Sequence, residues 1–154
     1  FSKDLSSGFG FHSTLSLVKI YNFRLSLGYE FQKLKVENSN AIGNFDYINS
    51  NSYQYILEYE IPLNSKFELN PTISYGQCQF NYKENTGGSI LAKQSLEEIR
   101  LGSYINYNLN KTFAGYAGLH FSHFYNSNLN ASPENKDYFG QGNKFIISLG
   151  ILIH

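Results

Sequence analysis

The chain of 154 residues has no tryptophan, no methionine, one cysteine and three prolines. One cysteine forms no internal disulfide, and there is neither a Cys-x-x-Cys pair nor a Cys/His cluster at zinc spacing. Cys78 is therefore expected as a lone buried thiol. Charge is scarce too. Twelve Lys and Arg balance twelve Asp and Glu, so charged residues make 16% of the chain and the net charge is zero; ordinary domains carry about 25%. That balance offers no electrostatic case for nucleic acid or acidic substrates. No run approaches the ~18 apolar residues of a membrane-spanning helix. The longest candidate, Phe145 to Ile153, is broken by Ser148 and Gly150. Phe1-Ser2-Lys3-Asp4 has neither the basic region nor the apolar stretch of a signal peptide, so the sequence reads as a mature form or a fragment.

What the chain does have is 13 Phe and 13 Tyr. Yet its mean hydropathy is polar, at −0.33. Many aromatics, few charges and a polar average need one explanation, and the spacing supplies it.

Helical spacing is sustained nowhere, whereas strict alternation recurs seven times. Phe9, Phe11, Leu15 and Leu17 alternate with Gly10, His12, Thr14 and Ser16. The same rhythm runs from Phe23 to Gln32, Tyr53 to Ile61, Phe67 to Gly76, Ile99 to Leu109, Phe113 to Ser122 and Lys144 to Ile153. Short turns at Lys19 to Asn22, Pro62 to Lys66 and Asn110 to Thr112 alternate with long polar loops. Those loops run from about Glu37 to Asn51, Lys83 to Ser95 and Ser127 to Gly142. All short turns fall at one end and all long loops at the other, which predicts an all-β, up-and-down antiparallel sheet of seven strands in a single domain.

The two parities differ in kind. One carries the large apolar side chains. The other carries Gly10, Gly28, Gly76, Gly102, Gly118 and Gly150, with Arg24, Glu30, Glu58, Glu60, Glu68, Glu98, Arg100 and Lys144. A soluble barrel has no reason to gather glycine on its outer face. A narrow lumen does, because about eight strands leave room only for side-chain filling. Phe23, Phe67 and Phe113 mark the short-turn end of the apolar face, leucine and isoleucine fill its middle, and Tyr29, Phe31, Tyr53, Tyr55, Tyr75 and Phe121 mark the long-loop end. Two aromatic belts around an aliphatic band suit the two interfaces of a bilayer. The expected fold is a transmembrane β-barrel. A soluble lipocalin-like barrel is the alternative.

The last strand, Ser148-Leu149-Gly150-Ile151-Leu152-Ile153-His154, resembles the C-terminal signal of bacterial outer-membrane barrels, with Ser148, Gly150 and Ile153 at matching positions. Over its whole length the chain resembles the small, eight-stranded OmpA/OmpX-type barrels. That resemblance implies a Gram-negative outer-membrane location, contact with outer-membrane lipids including lipopolysaccharide, and an even strand number. Seven strands, the first running toward the short turns, then imply one missing before Phe1.

Function follows less directly. The polar-parity charges are expected to form a lumen network of ion pairs, because buried charge must be paired. Switching those pairs would make a narrow pore. His120-Phe121-Ser122 resembles the His-x-Ser of outer-membrane lipid A deacylases, with Glu134 as a possible acid, and a Ser–His–acid set would activate the serine. Against this, His123 stands where that family has Asn, and His120 and Ser122 share the lumen parity rather than the lipid one. No cofactor or metal is expected. The expected role is non-enzymatic: structural, adhesive or complex-forming. Loop residues Phe45, Tyr47, Tyr125 and Tyr138 are candidates for contact with a protein partner.

Overall fold

The computed structural model describes residues 8–35, 47–83, 90–126, 128 and 142–153. They form the strands β1 (Phe9–Ile20), β2 (Phe23–Lys35), β3 (Tyr47–Tyr59), β4 (Ile61–Pro62), β5 (Phe67–Lys83), β6 (Ile90–Asn108), β7 (Phe113–Tyr125) and β8 (Gly142–Ile153). Among the described residues there is no helix, and hence no helix long and apolar enough to cross a membrane. One antiparallel sheet runs in chain order β1-β2-β3-β5-β6-β7-β8; the two-residue β4 continues β3 past Glu60 and pairs with β5. Arg100 on β6 and Lys144 on β8 both reach Glu30 on β2. None of these strands is a neighbour of another in the sheet, so the sheet is curled, with the polar face concave, into a half-barrel.

Two of the short turns are copies of one device. Asn64 Oδ1 accepts from the backbone N–H of Lys66 and Phe67 at 2.8 and 2.9 Å. Asn110 Oδ1 accepts from those of Thr112 and Phe113 at the same distances. Leu63 and Leu109 donate to the carbonyls of Phe67 and Phe113. Both turns read Leu-Asn-x-x-Phe, with asparagine reversing the chain through its own side chain. The third turn, Tyr21-Asn22, places Tyr21 at φ 52°, a left-handed conformation that strains a residue with a Cβ.

Alternation is interrupted once in β1. The register with β2 shifts between Ser16 and Val18, making Leu17 the extra residue of a bulge. Beyond it Val18 and Ile20 face outward with Leu25 and Phe23, and Lys19 faces inward beside Arg24.

Burial separates the faces sharply. Leu25, Leu27, Tyr53, Tyr55, Leu57, Ile73, Tyr75, Ile99, Leu101, Ile105 and Leu119 are exposed on the convex face. Ser26, Glu30, Ser52, Gln54, Asn70, Ser74, Glu98, Arg100, Asn106 and Ser122 are buried on the concave face. Toward the long-loop end this order reverses. On β5 the convex residues beyond Tyr75 are Gln77 and Gln79, which are exposed, and then Asn81, which is buried, and Lys83, which is half-buried, while the concave ones, Cys78, Phe80 and Tyr82, are buried. On β3, Asn49 and Asn51 lie beyond Tyr53, and concave Ile48 is fully buried. Leu34, Ile48, Cys78, Phe80, Tyr82, Leu96 and Phe124 close into one apolar cluster. The same strands are therefore inside-out along their lower length and conventionally packed above it.

The upper stretches correct the loop boundaries expected from sequence. Residues 47–51 are strand rather than loop, β6 begins at Ile90, and Tyr125 ends β7. Their convex positions hold Asn, Gln and Lys, which read as loop when only the convex face is scored. Phe45 and Tyr138 lie outside the described residues.

Candidate functional site

The concave charges fall into two clusters, because each arises where facing strands place a cation and a carboxylate at the same height. In the central cluster Arg100 forks onto Glu30. Its Nη1 lies 2.7 Å from Oε2 and its Nη2 lies 3.0 Å from Oε1. The same guanidinium donates to Glu98 Oε1 at 2.8 Å and to Ser122 Oγ at 3.0 Å. The far oxygen of Glu98 accepts from Ser52 at 2.5 Å and from Gln54 at 2.9 Å. Lys144 Nζ reaches Glu30 at 3.1 Å and Gln32 at 3.0 Å. Two cations meet two carboxylates, and Arg100, Lys144 and Glu98 are each also held by a neutral partner, which suits buried ions.

The second cluster lies toward the short turns. Arg24 pairs with Glu58 at 3.2 Å and with Glu60, and Lys19 also pairs with Glu60. Asn70 donates to Glu58 at 3.2 Å, and Asn108 donates to Glu68 at 2.9 Å. All eight charges singled out from the sequence thus lie on the concave face. Seven form ion pairs in the two clusters, and Glu68 is held by an amide. Lys19 was missed because the bulge at Leu17 carries it inward. Ser52, Gln54 and Ser122 were missed as partners because spacing alone does not say which polar residue meets which charge.

Between the clusters the face is lined with rings. Tyr104 lies against Tyr116 and His120, with ring centroids 5.3 and 4.5 Å away. These rings occupy space left by glycine. Tyr104 pairs across the strands with Gly118, and Tyr116 with Gly150. A Cβ at Gly118 would meet Tyr104 at 2.6 Å and Ser148 Oγ at 2.7 Å, and one at Gly150 would meet the Tyr116 ring at 2.5 Å.

Of the candidate hydrolytic set, His120 and Ser122 are not hydrogen-bonded to each other. Ser122 is fully buried and accepts from Arg100. Neither ring nitrogen of His120 has a hydrogen-bond partner. Glu134 lies outside the described residues. His123 is on the convex face, its Nδ1 2.8 Å from Asn143 Oδ1. Among the described residues no group of three His, Cys, Asp or Glu could hold a metal ion.

Comparison with protein-family models, with curated proteins and with solved structures gives no match. The chain's chemistry must therefore be read from its own geometry.

Proposed function

We propose that this protein is an integral outer-membrane β-barrel of eight strands with a plugged lumen. Its role is non-enzymatic: it anchors a rigid surface scaffold whose long loops carry contacts to lipopolysaccharide or a protein partner. The observation that carries the reading is the change of polarity along single strands. A wholly soluble sheet would bury Ile73 and Leu101 and expose Arg100 and Glu98; here it is the ion pair that is buried. Hydrocarbon around the lower length removes the penalty for the exposed apolar band, and water above Tyr53 and Tyr75 explains why the ordinary arrangement returns there. Aromatic pairs at both margins support the same boundaries. Phe23–Tyr59 and Phe67–Tyr107 lie toward the short turns, with centroids 4.7 and 4.9 Å apart. Tyr29–Tyr53 lies toward the loops at 5.1 Å.

Conduction through such a lumen is disfavoured. Two ion-pair clusters and a ring layer line the concave face, and the apolar cluster caps it. Eight strands leave little free bore.

Extraction tests the reading. The protein should sediment with membranes, require detergent for release, and migrate faster in SDS gels unheated than boiled. A protein fully soluble without detergent would refute it. In planar bilayers a plugged barrel shows no steady conductance, and regular open-channel steps would instead support the narrow pore.

A further inference from the structure

The concave cluster near the short turns holds one carboxylate more than its cations balance. Lys19 and Arg24 form their ion pairs with Glu58 and Glu60. Glu68 has no cation partner among the described residues; its Oε1 accepts from the Asn108 amide at 2.9 Å. It is half-buried, and charge withdrawn from water is ordinarily paired or bound to a metal.

Two buried asparagines flank this carboxylate. Glu68 stands directly opposite Asn106 in the β5–β6 register, and Asn70 lies two residues along β5 on the same face. Diagonal neighbours of this kind are about 7–8 Å apart at their backbones, within reach of side chains that turn toward each other. Asn70 and Asn106 are 0 and 2% exposed, and the Oδ1 of each is buried without a hydrogen-bond partner. The Asn70 amide is not free to turn over. Its Nδ2 donates to Glu58 Oε1 at 3.2 Å, and a reversed amide would set oxygen against oxygen.

Buried carbonyl oxygens are nearly always satisfied. A neutral donor would satisfy these two and leave Glu68 unbalanced. A cation does both. The donors are all oxygen, from one carboxylate and two amides, with no imidazole or thiolate among them. That set suits a hard cation rather than zinc or copper. Calcium takes carboxylate and amide carbonyl oxygens in flexible geometry and completes its shell with water, whereas magnesium asks for a near-ideal octahedron. We propose that Glu68, Asn70 and Asn106 form a calcium site on the concave face near the short turns, with Glu58 fixing the Asn70 amide and Asn108 holding Glu68. The ion would bridge β5 and β6 and balance the third carboxylate. The proposal goes beyond the barrel reading and does not depend on what the convex face meets.

Terbium, which occupies calcium sites and emits when excited through nearby tyrosine, tests it on purified protein stripped with a chelator. Tyr104 pairs with Asn70 across the strands and serves as the antenna. Sensitised emission should appear and be displaced by calcium with a Kd of about 10⁻⁴–10⁻³ M, the weak end of calcium sites. Glu68→Gln and Asn106→Ala should each weaken binding roughly tenfold or more, since affinity follows the charge and number of ligands. Stability gives a second readout, because an ion that binds only the folded chain raises its unfolding midpoint. Calcium at about 10 mM, well above that Kd, should raise the midpoint of the unaltered protein, and by less in either variant. If one variant does not fold, the other and the unaltered protein decide. No calcium binding at that concentration, binding unchanged in the variants, or magnesium binding equally tightly overturns the proposal. Detergent extraction reads the membrane proposal separately, so the two can fail independently.

Discussion

Arg100 and Glu30 face each other across the concave side of the sheet, joined by two hydrogen bonds of 2.7 and 3.0 Å, with both side chains 5% exposed. Seventy residues of chain separate them. The curl of the sheet brings β2 and β6 together there, and the pair sets the energetic scale of the interior.

Removing one partner of such a pair leaves uncompensated charge. Arg100→Met should cost about 3–5 kcal/mol, since Glu30 and Glu98 would then share Lys144 alone. Replacing all four charges together, with Glu30→Gln, Glu98→Gln and Lys144→Gln added, should recover most of the loss. Urea midpoints of protein refolded in detergent micelles measure both.

Polarity along β5 makes a position-dependent prediction. Ile73→Arg lies within the apolar band and should cost about 2–4 kcal/mol in lipid. Gln79→Arg, on the same face three alternations higher, should change stability by less than about 0.5 kcal/mol. Equal costs at the two sites would remove the boundary drawn between them.

The ring–glycine pairs can be tested by exchange. Gly150→Ala forces a methyl against Tyr116 and should destabilise by about 1–3 kcal/mol. Tyr116→Ser in the same molecule clears that space, so the double variant should show less than the sum of the two single losses. A double-mutant cycle on thermal or urea unfolding measures the coupling.

Cys78 lies above the apolar band, and burial pushes its thiol up to about 12. At pH 8 that leaves roughly a thousandfold less thiolate than an ordinary cysteine. The native protein should resist maleimide and disulfide reagents for hours and react promptly once unfolded. Rapid native labelling would contradict the packing of Ser50, Cys78 and Phe80.

Much of this fold is legible in the sequence, for a physical reason. Where a strand separates two unlike surroundings, as from Phe23 to Phe31, alternation records both faces at once. The reading stops at Tyr53 and Tyr75, where the surroundings exchange: Ile48, Phe80 and Leu96 turn inward, and Asn49, Gln79 and Lys93 make the strand resemble a loop. Lys19 escapes because a bulge shifts parity by one. The Leu-Asn-x-x-Phe repeat at residues 63 and 109 is visible in the sequence once its structural meaning is known. Which charges touch is a matter of curl, and spacing along the chain carries no record of it.

The central claim is that the convex band faces lipid. Spin labels at Ile73, Leu101 and Leu149, and at Gln79 and Lys93 for comparison, should be placed in protein reconstituted in vesicles. Collision rates with oxygen and with a water-soluble nickel complex then report the surroundings of each. Oxygen should dominate at the first three positions and nickel at the other two. Nickel dominating at all five would place the band in water and contradict the account.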